Sequence, residues 1–166
     1  MRLFLESSKK RFVTLADEME MIQLYVSLEQ MRFEHKFEVN YEIDKDIDPD
    51  VVELPSLLLQ PFIENAINHG LYHKKEKGLL SIGIQSEDED HIQIIIEDDG
   101  IGRARATEIK KQSLRKHKSR GTEIVQERLE ALNASGDVML ELTVNDAFVN
   151  QEDCGTRVVL SITDGD

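Results

Sequence analysis

Two apolar-rich runs, residues 79–85 and 91–97, are separated by Glu87-Asp88-Glu89-Asp90, and the second runs directly into Asp98-Asp99-Gly100-Ile101-Gly102. Their β-branched content reads as two strands, and the acidic tetrapeptide as a hydrophilic hairpin turn. A strand that ends at Asp98 and turns through Gly100 and Gly102 can present a carboxylate into a pocket, because glycine lets backbone approach a ligand closely. Taken alone, the same segment also reads as a solvated Asp-Gly turn.

The rest of the chain supplies the layers around that hairpin. Thr14 followed by Asp17 and Glu18 reads as a capped helix start, with the helix running to about Phe33. Leu15, Met19, Ile22 and Val26 form one apolar stripe on it; Leu24, Leu28 and Met31 form another. Two stripes imply more than one neighbour, or else one wide core face. Residues 37–43 alternate as a strand, and an acidic loop spans 44–53. Pro55 is expected in the first turn of a helix ending at Gly70, with Pro61 bending it from inside. Helical patterns return at 104–114 and 122–134, and strands are expected at 138–144 and 156–162. Strands and helices mix without strict βαβ alternation. The expected class is therefore α+β, with helices on one face of a mixed, mostly antiparallel sheet.

Bulk properties narrow the function. The chain has 166 residues, enough for one domain with a sizeable core. It carries one cysteine, Cys154, so an internal disulfide is excluded, and a cytoplasmic setting is expected. The net charge of -13 argues against general nucleic-acid binding. The segment from Arg103 to Arg120 nevertheless holds eight of the 20 Lys and Arg residues and a single acid, Glu108. A basic strip on an acidic body suggests one specific anion; the alternative is a solvated loop.

Gln60-Pro61-Phe62-Ile63-Glu64-Asn65-Ala66, the Asp98–Gly102 turn, Gly121 opening a helix, and Gly155-Thr156 opening the last strand follow one another in a fixed order. With Tyr25-Val26-Ser27-Leu28-Glu29-Gln30-Met31-Arg32-Phe33 upstream, this order resembles the ATP-binding catalytic domain of LytS-type sensor histidine kinases, within the GHKL ATPase superfamily. The resemblance covers essentially the whole chain. It implies a two-layer α/β sandwich of the GHKL type over 34–166, preceded over 1–33 by the end of a dimerisation and phosphotransfer module. It also implies that the fragment lies in the cytoplasm and that the full-length protein is anchored in the bacterial inner membrane.

The resemblance assigns roles to particular residues. Asn65 stands where the family holds Mg2+, through a carboxamide oxygen that adds no charge to repel a triphosphate. Asn68 and His69, one turn on, are expected toward the same site. Asp98 accepts the adenine amino group, with Gly100 and Gly102 shaping the close approach. Gly121, at a helix start, offers amides to phosphate, with Lys118, Arg120 and Lys116 as added positive charge. Thr156 lies beneath the base, in contact directly or through water. The segment 103–119 is expected to act as the lid over ATP; a permanently ordered helix over 104–112 is the other reading.

The chain departs from the family pattern at several positions. Asn68 replaces a frequent lysine, Asp99 an asparagine, and Ser119 the first glycine of Gly-x-Gly. Pro61 stands where ATP-hydrolysing relatives carry a glutamate base. Glu64, about 100° round the helix from Asn65, is a poor substitute. None of the five histidines, His35, His69, His73, His91 and His117, has the phosphoacceptor context. The expected function is therefore to bind Mg-ATP and present its γ-phosphate to a histidine outside this chain, for onward transfer to a response-regulator receiver domain. A self-contained GHKL ATPase or anti-sigma-type serine kinase, and a nucleotide-binding-deficient pseudokinase, remain as alternatives.

Overall fold

The structure is a computed structural model and describes residues 11–87, 91–112, 121–136, 138–148 and 153–164, with side chains left aside at 110–112, 121–124 and 164. The elements in chain order are β1 (Phe12–Thr14), α1 (Leu15–Arg32), β2 (Phe37–Ile43), β3 (Glu53–Pro55) and α2 (Gln60–Asn65). A π-helical turn (Ala66–Gly70) and a 3-10 turn (Leu71–His73) extend α2. Then follow β4 (Gly78–Ser86), β5 (His91–Asp98), α3 (Gly102–Gln112), α4 (Gly121–Ser135), β6 (Val138–Asn145) and β7 (Thr156–Asp164).

Five strands form one sheet in the order β2-β4-β5-β7-β6. Only the β2–β4 pair is parallel; β4–β5, β5–β7 and β6–β7 are antiparallel. Burial alternates along the strands. Leu80, Ile82 and Ile84 of β4, Ile94 and Ile96 of β5, and Val158, Leu160 and Ile162 of β7 are buried. Their neighbours, such as Ser81, Gly83, Ile95 and Ser161, lie on the more open face. The period of two thus gives the sheet one inner face, and the core cluster there also takes in Leu15, Met19, Ile22 and Val26 of α1 and Phe62, Ile63 and Ile67 of the α2 region. The expected α+β class, with a mixed, mostly antiparallel sheet, holds.

Thr14 caps α1, its hydroxyl accepting the Asp17 N–H at 3.1 Å. Of the two stripes on α1, the first is buried, while Leu24, Leu28 and Met31 are 50%, 61% and 62% exposed. The described part of the first 33 residues shares the core of the sheet domain, and β1 pairs with β3 in a small two-stranded sheet.

The helix expected from Pro55 to Gly70 is different in the structure. Pro55 ends β3, and α2 starts only at Gln60, with Pro61 in its first turn. A proline there lacks an N–H that would have had no intrahelical acceptor anyway, so it starts the helix and does not bend it. The intervening loop turns through Leu57 at φ 58°, which costs a bulky residue about 1–3 kcal/mol. Contacts from distant helices hold this loop, so no local pattern announces it.

At the far edge of the sheet, the Asn133 carboxamide of α4 donates to Leu140 O at 2.9 Å and accepts from Leu140 N at 2.8 Å. It satisfies both outward backbone groups of an edge residue. Replacing Asn133 by Ala leaves both unpaired by protein, and we expect urea denaturation to show about 1–3 kcal/mol lower stability.

Candidate functional site

The second strand of the central hairpin delivers Asp98 to the wall of a cavity of about 330 Å³. Asn65, His69 and Gly70 line it from α2 and the π turn, Gly102, Arg103, Ala106 and Thr107 from the start of α3, and Val125 from α4. Ile96, Leu142, Val144 and Val158 supply apolar floor from the sheet, and Phe62 and Ala66 supply apolar wall. An apolar slot with one deep carboxylate suits a flat heterocycle that carries an N–H donor.

Asp98 is 2% exposed. Its Oδ1 accepts the Gly100 N–H at 2.9 Å. Thr156, its register partner across β5–β7, also hydrogen-bonds to the carboxylate through its side chain. Burial dominates over these bonds and pushes the Asp98 carboxyl up to about 7, and the neighbouring Asp99 charge pushes the same way. Glycines make room for it. A Cβ on Gly70 would lie 2.4 Å from Asp98 Oδ1, one on Gly100 2.7 Å from the same atom, and one on Gly155 2.0 Å from Asp98 O. Gly155 also needs its φ of 58°. Gly100 therefore shapes the carboxylate's surroundings without lining the cavity, while Gly102 lines it directly.

Asp99, one residue on, has a structural part. Its Oδ1 accepts the Leu79 N–H at 2.7 Å, and its Oδ2 pairs with Lys74 Nζ at 2.8 Å. An asparagine could make the first contact but not the ion pair, which accounts physically for a carboxylate at this position.

Asn65 and His69 both line the cavity, with Asn65 exposed at its mouth. Asn68 does not line it. Its amide donates to Tyr25 Oη at 3.5 Å, toward α1. The wider π turn from Ala66 brings the residue four positions after Asn65, not three, back to its face. The expectation that Asn68 shares the site is corrected on that ground. Tyr25 is half-buried there, and burial together with Glu29 pushes its phenol up to about 12. Glu64 turns away and accepts from Gln60 Nε2 at 2.7 Å; neither it nor Pro61 lines the cavity.

Thr156 lines the cavity beside Asp98. Gly121 is the first residue of α4, as expected for a helix start. Lys116, Lys118 and Arg120 lie outside the described residues, as does the second half of the expected lid; its first half is helical in α3. Sequence reasoning did not single out Gly70, Arg103 or Thr107. Arg103 pairs with Asp146 at 3.3 Å, and only the basic strip it opens hinted at it. The sequence pattern marks Gly70 only as a helix end, whereas its lack of a side chain is what admits Asp98.

The first 37 residues match the family model described as Histidine kinase. Over 101 residues, 61% of this chain, the sequence is 34% identical to the sensor histidine kinase/phosphatase LytS of Staphylococcus aureus, and the match covers 17% of that relative. The chain thus spans about a sixth of the length of the curated relatives it matches. Among solved structures, the histidine kinase domain of the blue-light activated kinase EL346 from Erythrobacter litoralis superposes with a TM-score of 0.60 at 19% identity, over 91% of this chain and 61% of that one. The catalytic domain of the histidine kinase ThkA gives 0.58 at 12% identity, over 92% and 94%. ThkA in complex with the response regulator TrrA gives 0.57 at 15%, over 98% and 46%. The fold is that of the GHKL catalytic domain of histidine kinases. By sequence, the chain is similar over 101 residues to the LytS sensor kinase.

Because the folded-state pKa of Asp98 lies above the unfolded value of 3.8, its contribution to stability is fully present below pH 3.8 and is lost as pH rises through about 7. The Asp98→Asn variant lacks this titration. Between pH 4 and 7, the parent should lose stability more steeply than the variant, by up to about 1.4 kcal/mol per pH unit. Denaturant midpoints across that range check it.

Proposed function

We propose that the chain is the ATP-binding catalytic part of a LytS-type sensor histidine kinase, binding Mg-ATP and presenting its γ-phosphate to a histidine on another segment of the kinase. The observation that carries this reading is the buried Asp98 carboxylate at the wall of an apolar cavity, backed by glycines and by Thr156.

The cavity fits the group. Adenine offers a flat apolar face to Phe62, Ala66, Ile96 and Val158, and its amino group is a donor for Asp98. Guanine presents a carbonyl in the corresponding place. Asn65, at the exposed mouth, contributes one neutral oxygen toward Mg2+, a cation that usually keeps waters and substrate oxygens in its shell. ATP supplies the transferable phosphoryl group; the chain supplies its position and charge balance. Arg103 lines the cavity as a cation for the anionic groups, and Gly121 opens α4, whose Val125 lines the same cavity. Among the described residues, neither Pro61, one turn before Asn65, nor Glu64, bonded to Gln60, lines the cavity where ATP-hydrolysing relatives carry their base. This favours transfer to a protein acceptor over hydrolysis by a self-contained ATPase.

The stripe Leu24, Leu28 and Met31 on α1 gives an approaching acceptor helix an apolar face. The onward partner in this reading is a response-regulator receiver domain, in keeping with the ThkA–TrrA complex. Among the described residues, no helix is long and apolar enough to cross a membrane. Anchoring of the full-length protein in a membrane belongs to the proposal.

Titration calorimetry should give magnesium-dependent ATP binding, competition by ADP, and poor binding of GTP. Asp98→Ala removes a charged hydrogen bond worth roughly 1.5–3 kcal/mol, so ATP affinity should fall about ten- to a hundredfold. No ATP binding by the parent, or equal affinity in a folded Asp98→Ala variant, overturns the reading.

Incubated alone with labelled ATP, the fragment should acquire no acid-labile, base-stable phosphate. Stoichiometric phosphohistidine, mapped for instance to His35, would place the acceptor inside this chain.

A further inference from the structure

The loop between β3 and α2 is gripped from both sides by charged side chains that no part of the nucleotide chemistry uses. Glu18 of α1 is 1% exposed. Its Oε2 accepts the Leu57 N–H at 2.9 Å, and its Oε1 accepts the Leu59 N–H at 3.0 Å, 41 residues away. Leu59 is the residue before α2 and has no side-chain cap of its own, so Glu18 caps that helix from another element. On the other side, Arg128 of α4 donates to Leu57 O at 2.9 Å and, through its second terminal nitrogen, to Ser56 O. One peptide segment thus has its amides on a carboxylate and its carbonyls on a guanidinium, with Leu57 held between them in the left-handed region.

We propose that Glu18 and Arg128 are positioning residues that set the axial position of α2, and with it the metal-side residue Asn65. The binding half of this inference rests on the nucleotide reading above. The geometry is direct. α2 is six residues long, from the gripped loop to Asn65, a span of only about 9 Å at helical rise. A rigid element that short transmits a shift at its start to its end. The π turn bearing His69 and Gly70 continues from it without a break. The opposite wall of the cavity, Asp98 and Thr156 on β5 and β7, is held by sheet pairing and by the Gly100 and Gly155 contacts, and it meets the gripped side at Gly70. The two charged residues also tie α1 to α4, whose Val125 lines the same cavity. Burial raises the Glu18 carboxyl, while its amide partners and the nearby Arg128 charge pull the other way.

The consequence is a separation of functions. Loosening the grip should disturb the Asn65 side of the cavity and leave the base side intact. Glu18→Gln removes the charge and turns an N–H2 toward an amide donor. Arg128→Met removes both bonds to the loop, and Arg128→Lys retains the charge with a single donor group. Amide hydrogen exchange on the nucleotide-free protein should show about tenfold faster exchange or more at 57–59 and through Ala66–Gly70 in Glu18→Gln and Arg128→Met, with Ile94 and Leu160 unchanged. Mg-ATP affinity should fall about tenfold or more, and adenosine affinity less than about threefold, since small misplacements of a positioned group have large effects. Arg128→Lys should lie between parent and Arg128→Met on both readouts. If Glu18→Gln does not fold, the two Arg128 variants, altered on the half-exposed side of the loop, decide. Unchanged exchange at 66–70 in folded variants overturns the inference, and so does a parallel loss of adenosine and Mg-ATP binding, which means general loosening. A parent that binds neither ligand refutes the nucleotide reading, and the exchange experiment then decides the positioning claim.

Discussion

Taking the carboxylate of Asp98 out of water is the constraint to which the surrounding residues conform. A charged group at that depth is costly unless it is bonded or neutralised. The structure answers with the Gly100 amide and the Thr156 hydroxyl, and the proton affinity still rises. The need for backbone to come so near explains why Gly70, Gly100 and Gly155, from three separate segments, converge on one residue. Each could be replaced only by displacing the carboxylate or the main chain beside it. The π turn, which ends at Gly70, and the β5–β7 register, which sets Asp98 opposite Thr156, both serve that convergence.

The layering follows from simpler physics. A sheet with one apolar face needs a cover, and α1 with the α2 region supplies it through residues spaced three and four apart. The cavity opens where α3 and α4 continue that cover over the ends of β5, β6 and β7. Fold and cavity are therefore one arrangement. The wall carrying Asp98 and Thr156 is pinned by sheet pairing, whereas the wall carrying Asn65 depends on how helices are held at their ends.

What the sequence revealed divides along the same line. Local signals were readable: Thr14 before Asp17 as a cap, the alternation of 37–43, the strand pair 79–85 and 91–97, and the two stripes of α1. Asn65, His69, Asp98, Gly102 and Thr156, all singled out by the sequence pattern, line one cavity. The failures came where a distant residue decides. Pro55 looked like a helix start because nothing nearby reveals that β3 pairs with β1. Asn68 looked like a site residue because an ordinary helical period was assumed, and one extra residue in the turn sent it to Tyr25. Leu57 carries no mark of its positive φ, since Glu18 and Arg128 impose it from outside.

The contact of Asn133 with Leu140 also affects how the molecule behaves in company. An outermost strand exposes unpaired donors and acceptors that a foreign chain can extend, the usual route to edge-to-edge aggregation. On β6, the carboxamide occupies that position as a strand would, but it has no further groups to offer a next neighbour. At the opposite edge, β2 carries Glu38 and Glu42, with exposed Lys77 paired to Glu38, so an incoming strand meets charge. The two margins of the sheet are thus guarded by different means, one by a side chain that occupies the outward groups of Leu140 and the other by charge. Both devices work against growth of the sheet when copies of the domain are crowded together.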